Sequence, residues 1–230
     1  MKDAGPEFDR FGQNYGALLR GPIRDGFVRS GEFFHRRKWL LIAEFLTKQA
    51  ISASKLAWLD VGCGKGELLA YGRSYFDRVA GCDPSREMSC AASGIEVRLQ
   101  ESPAVLPFPD ASFDLATAVC VYHHVKEPDR LPLTREVHRI LRPNGIFCMI
   151  EHNPFNPIAR LIVNRCPIDV DAHLLPARLA RLYGEKAGLR HLESQYFLYL
   201  PEALYDKIGG LERSLKQVPL GGQYGMFAGK

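Results

Sequence analysis

Three glycines alternate directly after an acidic residue in the stretch Asp60-Val61-Gly62-Cys63-Gly64-Lys65-Gly66. The apolar run over residues 56–61 predicts a strand that ends at the acid, and a helix is predicted to follow the glycines. Because glycine has no Cβ, the backbone can turn sharply there and approach a ligand closely. The first N–H groups of the helix have no partner within the helix and are available to a ligand. The pattern indicates a loop of the nucleotide-binding type.

The details of this loop exclude two common ligands. A dinucleotide loop needs Gly-x-Gly-x-x-Gly/Ala, and here Glu67 occupies the third small position. A phosphate-binding P-loop needs Gly-Lys-Ser/Thr, whereas Gly64-Lys65 is followed by Gly66. The acid at the strand end, Asp60, instead suits a ligand that carries a cation. S-adenosylmethionine has an ammonium, a sulfonium and an adenosine, and no phosphate.

The loop resembles the first motif of class I S-adenosylmethionine-dependent methyltransferases. In this family an acid at the end of the second strand binds the ribose, and Asp83 lies 17 residues past Gly66 at that position. A carboxylate there can accept both ribose hydroxyls. The resemblance implies a cofactor site formed by Asp60, Gly62, Cys63, Gly64, Gly66, Asp83, Pro84, Ser102, Val119, Cys120 and Val121, with Tyr15 covering the cofactor.

The stretch over residues 100–108 resembles the third-strand loop of the family, which usually reads Gly-Asp-Ala-x-x-Leu-Pro-Phe. Ser102 replaces the acid that binds adenine in the family, and Pro103 has no N–H to donate to the ring. Either the Ser102 hydroxyl or Glu101 is expected to take over adenine recognition.

The stretch over residues 113–125 resembles the fourth motif of small-molecule methyltransferases, and it contains adjacent histidines. Methyl transfer is an in-line displacement, so the protein must hold the nucleophile roughly 3 Å from the methyl carbon and exclude water. A hydroxyl nucleophile benefits from a base, and histidine has a suitable pKa. The candidate bases are His123, His124 and His152, with Glu151 next. The alternative for each histidine is a structural, hydrogen-bonded role.

A metal-assisted reaction is a further alternative. Histidines and carboxylates meet at adjacent strand ends and in the segment after the fifth strand, but they show no compact ligand spacing, and no metal site is predicted. The residues of this alternative are His123, His124, Glu151, His152, Asp169, Asp171 and His173.

The stretch over residues 151–157 resembles a bacterial subgroup that acts on small molecules, including carbohydrate and natural-product intermediates. The resemblances therefore imply methyl transfer from S-adenosylmethionine to a small-molecule acceptor, on oxygen or nitrogen. Two alternatives remain: a non-catalytic S-adenosylmethionine-binding protein, and an RNA or protein methyltransferase.

Composition limits the partners and the compartment. The 230 residues carry a net charge of +4, which is too small to indicate a nucleic-acid partner. The six cysteines form no Cys-x-x-Cys pair, which indicates a reducing compartment. No signal peptide or membrane span is predicted, so a cytoplasmic protein without a membrane partner is expected. The basic run over residues 35–38 is expected to be a solvated helix face.

Strands and helices alternate from residue 56 to about residue 190, which predicts an α/β fold with helices on both faces of the sheet. The resemblance implies a Rossmann-like, seven-stranded, mostly parallel sheet whose last strand is antiparallel and lies between its two predecessors. Residues 1–55 are expected to form an N-terminal helical cap. Residues 56–230 are expected to form the methyltransferase domain, with an insertion on the substrate side at about residues 153–175. Apolar spacing from Leu204 to Leu215 predicts one amphipathic helix.

Overall fold

The computed structural model describes residue 9, residues 14–89 and residues 94–230. Within them the strands are β1 (Ala57–Val61), β2 (Arg78–Asp83), β3 (Glu96–Leu99), β4 (Phe113–Val119), β5 (Leu141–His152), β6 (Arg190–Phe197) and β7 (Gln223–Gly229). The helices are α1 (Tyr15–Leu18), α2 (Pro22–Phe27), α3 (Glu32–Lys48), α4 (Glu67–Gly72), α5 (Arg86–Ser89), α6 (Glu127–Ile140), α7 (Pro157–Arg165), α8 (Ala177–Lys186), α9 (Glu202–Ile208) and α10 (Glu212–Leu215).

The strands form one sheet in the order β3-β2-β1-β4-β5-β7-β6. The pairs β1–β2, β1–β4, β2–β3 and β4–β5 are parallel. β7 is antiparallel to both of its neighbours, β5 and β6. The predicted sheet, with its last strand inserted between the two preceding ones, is confirmed. The reversal of strand order at β1 and β4 places the carboxyl ends of these two strands where α/β folds bind ligands.

Helices cover both faces of the sheet, as predicted. Along β5, Phe147 and Met149 belong to the core on the side of α6 and α8. Cys148 and Ile150 belong to the opposite core, on the side of α3 and α4. All four side chains are fully buried, because a central strand has apolar neighbours on both faces.

Helix α3 forms part of the helical layer over the sheet. Phe45 stacks on Phe227 of β7 with ring centroids 3.9 Å apart. Trp39 stacks on Trp58 of β1 with ring centroids 5.9 Å apart. The expected domain boundary near residue 55 stays a prediction. Among the described residues, no helix is both long and apolar enough to span a bilayer.

The basic run on α3 is not the solvated face that the sequence predicted. Arg37 and Lys38 are each only 8% exposed. Arg37 forms an ion pair with Glu212, and its guanidinium lies 3.6 Å from the centroid of the Tyr205 ring. The segment that connects β6 to β7 therefore covers this part of α3 and supplies the compensating charge.

Two predicted elements differ from those observed. The single helix expected from Leu204 to Leu215 is divided into α9 and α10 by a 3-10 turn over Gly209–Leu211. Glycine is a poor helix former, and the break leaves Leu204 and Leu211 exposed instead of packed. The helix expected over residues 85–93 begins at Arg86, and its last four residues lie outside the described part of the chain.

Candidate active site

The glycine loop after β1 has the left-handed backbone that its sequence requires. Gly62, Gly64 and Gly66 have φ values of 67°, 53° and 74°. The N–H of Gly62 donates to the carbonyl of Cys82 at 2.8 Å, which fixes the loop against the end of β2. A Cβ on Gly62 would lie 2.5 Å from Cγ2 of Val121. Only glycine therefore fits where the loop passes the end of β4.

Asp60 presents a buried carboxylate at the end of β1. The Thr117 hydroxyl donates to Oδ1 of Asp60 at 2.5 Å, and Nε1 of Trp58 donates to the same hydroxyl at 2.9 Å. Burial raises the pKa of Asp60 to about 7, although Thr117 and Lys38 both favour the charged form. A bound cation would remove much of the cost of keeping this carboxylate ionised.

Asp83 is oriented by backbone donors on both of its oxygens. Gly64 donates its N–H to Oδ2 at 2.8 Å, and Ser85 donates to Oδ1 at 2.9 Å. Each oxygen keeps further acceptor capacity, so the carboxylate can still accept hydroxyl donors. Pro84 follows it and is half-buried. Asp83 and the glycine loop, predicted as one site, lie together.

Cys63 contributes to the loop through its backbone. Its side chain packs against Gly81, where a Cβ would lie 2.5 Å from the Cys63 sulfur. Burial raises the pKa of this thiol far above its ordinary value. The residue therefore fills the core as a small apolar side chain.

The loop after β3 is held by a buried glutamine. Gln100 Nε2 donates to the carbonyls of Ser102 and Pro103 at 3.1 and 3.3 Å. The Ser102 hydroxyl accepts a weak hydrogen bond from the N–H of Ala104 at 3.4 Å. The side chain of Ser102 is half-buried, and adenine recognition by Ser102 or Glu101 stays a prediction.

Glu151 joins the end of β5 to the turn after β4. Its Oε1 accepts the backbone N–H groups of Val121 and Tyr122 at 2.9 and 2.7 Å. Its Oε2 accepts from Nδ1 of His123 at 2.5 Å. Cys120, which precedes this turn, has a φ of 57°, which is unusual for a residue with a side chain. A fully buried carboxylate thus fixes the backbone and the first histidine together.

His123 is buried between two carboxylates that favour its protonated form. Burial by itself lowers the pKa of His123, but Glu151 and Asp169 outweigh burial and raise it to about 10. The same contacts lower the pKa of Glu151 and of Asp169 below their ordinary values, against the effect of burial. Nε2 of His123 lies 3.6 Å from Oδ1 of Asp169.

The other two predicted histidines lie beside His123. The rings of His123 and His124 have centroids 4.2 Å apart, and Nε2 of His124 lies 3.2 Å from Oδ1 of Asp169. The ring of His152 lies 5.4 Å from that of His123, and its Nδ1 lies 3.4 Å from Nε2 of Gln223. The fold therefore brings all three together, and Asp169 arrives from the segment after α7.

Ligand atoms of His123, His124 and Asp169 lie within 4.8 Å of one another, so among the described residues this trio has the spacing to hold a metal ion. Of the other carboxylates and histidines in the metal alternative, Asp171 and His173 are exposed and outside the trio. The absence of a metal site stays a prediction.

Lys38 is a site residue that sequence reasoning missed. Its ammonium lies 3.6 Å from the Cys120 sulfur, which Gln223 Nε2 also approaches at 3.4 Å. Burial opposes ionisation of this thiol, but Lys38 and His152 together lower the pKa of Cys120 to about 7. Position 38 falls four residues before the buried Ile42 on the same helical face, which could have indicated its burial but not its contact with Cys120.

Comparison with known proteins agrees with this geometry. Residues 59–149 match the family model described as a methyltransferase domain. The chain is 31% identical over 150 residues to an uncharacterized methyltransferase of Bacillus subtilis, covering 60% of this chain and 58% of that protein. It is 29% identical over 173 residues to a 2-phytyl-1,4-naphtoquinone methyltransferase of Synechococcus elongatus, covering 70% of this chain and 71% of that protein.

A solved S-adenosylmethionine-dependent methyltransferase of Thermotoga maritima superimposes with a TM-score of 0.68 at 19% identity, covering 97% of each chain. Residues 59–149 thus form a methyltransferase domain, and the fold is that of solved S-adenosylmethionine-dependent methyltransferases. The chain's matched stretch spans less than two thirds of the Bacillus relative.

A pocket lies at the carboxyl end of the sheet. The pocket reaches Glu67 at the start of α4 and Cys120 at the end of β4, and all three histidines line it. Helices α2, α3 and α7 form its walls. The predicted cover, Tyr15, begins α1, and its side chain lies outside the described part of the structure. The apolar lining comprises Leu18, Leu19, Pro22, Ile23, Phe27, Phe34, Ile158, Ala159, Leu161, Ile162, Ile168 and Leu198.

Proposed function

We propose that this protein transfers a methyl group from S-adenosylmethionine to a small-molecule acceptor, on oxygen or nitrogen. The observation that carries the proposal is the juxtaposition of two elements. A glycine loop flanked by the carboxylates of Asp60 and Asp83 lies beside a largely apolar pocket. His124 and His152 line that pocket. The first element suits the cofactor, and the second suits an acceptor shielded from water.

The residues around the loop fit S-adenosylmethionine. The buried carboxylate of Asp60 suits the ammonium of the cofactor, and the oriented oxygens of Asp83 suit the two ribose hydroxyls. Gly62 leaves backbone space where a Cβ would meet Val121. When bound, the cofactor supplies a methyl group on a positively charged sulfur, which the acceptor displaces in line.

The geometry supports different proposed roles for the histidines. Glu151 and Asp169 hold His123 from both sides and raise its pKa to about 10, so we assign it to positioning. His124 lines the pocket and directs Nε2 to Asp169, and we propose that its ring takes the acceptor's proton. This is the arrangement of a base oriented by a carboxylate. His152, held at Gln223, is the second candidate for that proton.

The pocket lining supports a proposal for the acceptor class. Apolar side chains on α2 and α7 suit a largely apolar acceptor, as the quinone methyltransferase relative also suggests. Carbohydrate and natural-product intermediates with an apolar portion belong to the same class. The reaction needs a nucleophilic hydroxyl or amine at the histidine end of the pocket.

The test is methyl transfer with trideuteromethyl-labelled S-adenosylmethionine and a panel of hydroquinones, phenols and sugar derivatives. Mass spectrometry should detect S-adenosylhomocysteine together with one acceptor that gains the labelled methyl group. The Asp60→Asn variant should lose both signals, and Asp110→Asn, which alters an exposed carboxylate, should keep them. Cofactor binding without product across the panel would favour the non-catalytic alternative. Labelling of RNA or protein in place of the panel would favour the other alternative.

A further inference from the structure

The pocket wall formed by Arg24, His35 and Lys38 is positively charged, and we call it the basic wall. We propose that the basic wall binds an anionic group of the acceptor, so that the acceptor is an anionic amphiphile with a phosphate or carboxylate and an apolar chain. This inference rests on the proposed function, since it names the substrate class of the same pocket.

Lys38 carries the strongest argument. Its side chain lines the pocket and is only 8% exposed. Across residues 14–89 and 94–230 it forms no ion pair with a carboxylate, and its hydrogen-bond partner is the Cys120 sulfur. A buried ammonium is costly unless an anion compensates it. The Cys120 thiol, whose pKa Lys38 lowers, and the Asp60 carboxyl compensate it in part, and a bound phosphate or carboxylate would add to that compensation.

The neighbours of Lys38 add to the positive potential. Burial, Lys38 and Arg24 lower the pKa of His35 to about 3. The two charged groups that act on this ring are therefore both cations. Arg24 is held in place by the carbonyl of Leu19 at 2.5 Å and lies 5.1 Å from the Phe34 ring centroid. The wall thus presents two fixed cations beside a neutral imidazole that can donate a hydrogen bond.

Helix α7 gives the same pocket apolar surface that suits a hydrocarbon chain. Ile158 and Leu161 of α7 line the pocket and remain 48% and 40% exposed. Apolar side chains of this size gain stability when a ligand covers them. Arg165, at the end of the same helix, adds a further cation to the lining. Apolar surface and a basic wall in one pocket are complementary to an amphiphilic acid and not to a neutral sugar.

The test is calorimetric binding of decyl phosphate, below its micelle concentration, to the enzyme saturated with S-adenosylhomocysteine. The uncharged comparison is 1-decanol, and inorganic phosphate tests the head group alone. We expect decyl phosphate to bind at least tenfold more tightly than either. Saturation with S-adenosylhomocysteine separates this inference from the proposed function. If S-adenosylhomocysteine does not bind, the proposed function is contradicted. If S-adenosylhomocysteine binds and decyl phosphate does not, only this inference is overturned.

The variants locate the anion. Lys38→Met keeps the length of the buried side chain and should reduce the preference for decyl phosphate over decanol to about threefold or less. Arg24→Gln changes a half-buried residue and should also reduce the preference for decyl phosphate over decanol. Arg36→Gln is the matched control on α3, because Arg36 lies outside the pocket and pairs with Asp206. An unchanged preference in both pocket variants would overturn the proposal. So would competition between decyl phosphate and S-adenosylhomocysteine, since the basic wall would then serve the cofactor carboxylate.

Discussion

Nδ1 of His123 donates to Oε2 of Glu151 across 2.5 Å, inside a region where both side chains are almost completely buried. The other oxygen of Glu151 holds the turn after β4. This pair therefore links the ends of two parallel strands at the pocket. It also raises the pKa of His123, the first of the two adjacent histidines.

Replacing His123 by Gln should destabilise the fold, because it leaves the Glu151 carboxylate buried without its cation. Loss of one partner of a buried pair costs ~3 kcal/mol or more. The folded pKa of His123, about 10, lies above its ordinary value of 6.5. Its stabilising effect is therefore fully present below pH 6.5 and is lost as the pH rises through 10.

Urea unfolding at pH 7 and at pH 10.5 checks this prediction. The difference in the free energy of unfolding between wild type and His123→Gln should shrink at the higher pH. His173→Gln, which alters an exposed imidazole, is the control. A difference that grows with pH would show that the pair is not charged as described.

Cofactor affinity should depend on the ionisation of Asp60. Its pKa is raised to about 7, so the carboxylate that receives the ammonium is fully formed only above that pH. The dissociation constant of S-adenosylhomocysteine should be constant above about pH 8 and rise up to about tenfold per pH unit below 7. Asp60→Asn should weaken binding by ~2 kcal/mol or more and abolish this dependence. Calorimetry at pH 6, 7 and 8 measures both effects, and a pH-dependent Asp60→Asn variant would refute the assignment.

Gly62→Ala should abolish cofactor binding, because the new Cβ would lie 2.5 Å from Val121 Cγ2 at a φ of 67°. The double variant Gly62→Ala with Val121→Ala removes the collision and keeps the backbone strain of about 1–2 kcal/mol. It should therefore recover part of the affinity. Gly210→Ala, with open space around its Cβ, is the control. Equal losses in the single and double variants would mean that the collision is not the cause.

Replacing His124 should affect the rate of methyl transfer and not the binding of the cofactor product. His124→Gln should lower kcat by 10²-fold or more for a hydroxyl acceptor and leave the dissociation constant of S-adenosylhomocysteine unchanged. Asp169→Asn should lower kcat less and shift the pH profile, because it only orients the ring. The measurement is kcat against pH for both variants. If His152→Gln alone reduces kcat, the base is His152 instead.

The sheet could be predicted well from the sequence because the residues that mark its strand ends form local patterns. The acid at the end of β1, the glycines after it and the acid at the end of β2 each sit where a strand stops, and the parallel order places them at one edge. The contact of Lys38 with Cys120 and the pairing of Asp169 with the histidines could not be predicted in this way. The roles of both residues depend on contacts with residues more than 40 positions away, which no local pattern encodes. The signal that divides the predicted C-terminal helix at Gly209 was local in the sequence. The prediction gave more weight to the apolar spacing than to the two glycines.

Calorimetric titration with S-adenosylhomocysteine, with NAD as the comparison ligand, tests the central claim most directly. The cation-binding carboxylate of Asp60 and the missing third small residue of a dinucleotide loop predict micromolar binding of the first ligand and none of the second. Binding of NAD, or no binding of S-adenosylhomocysteine at pH 8, would contradict the account.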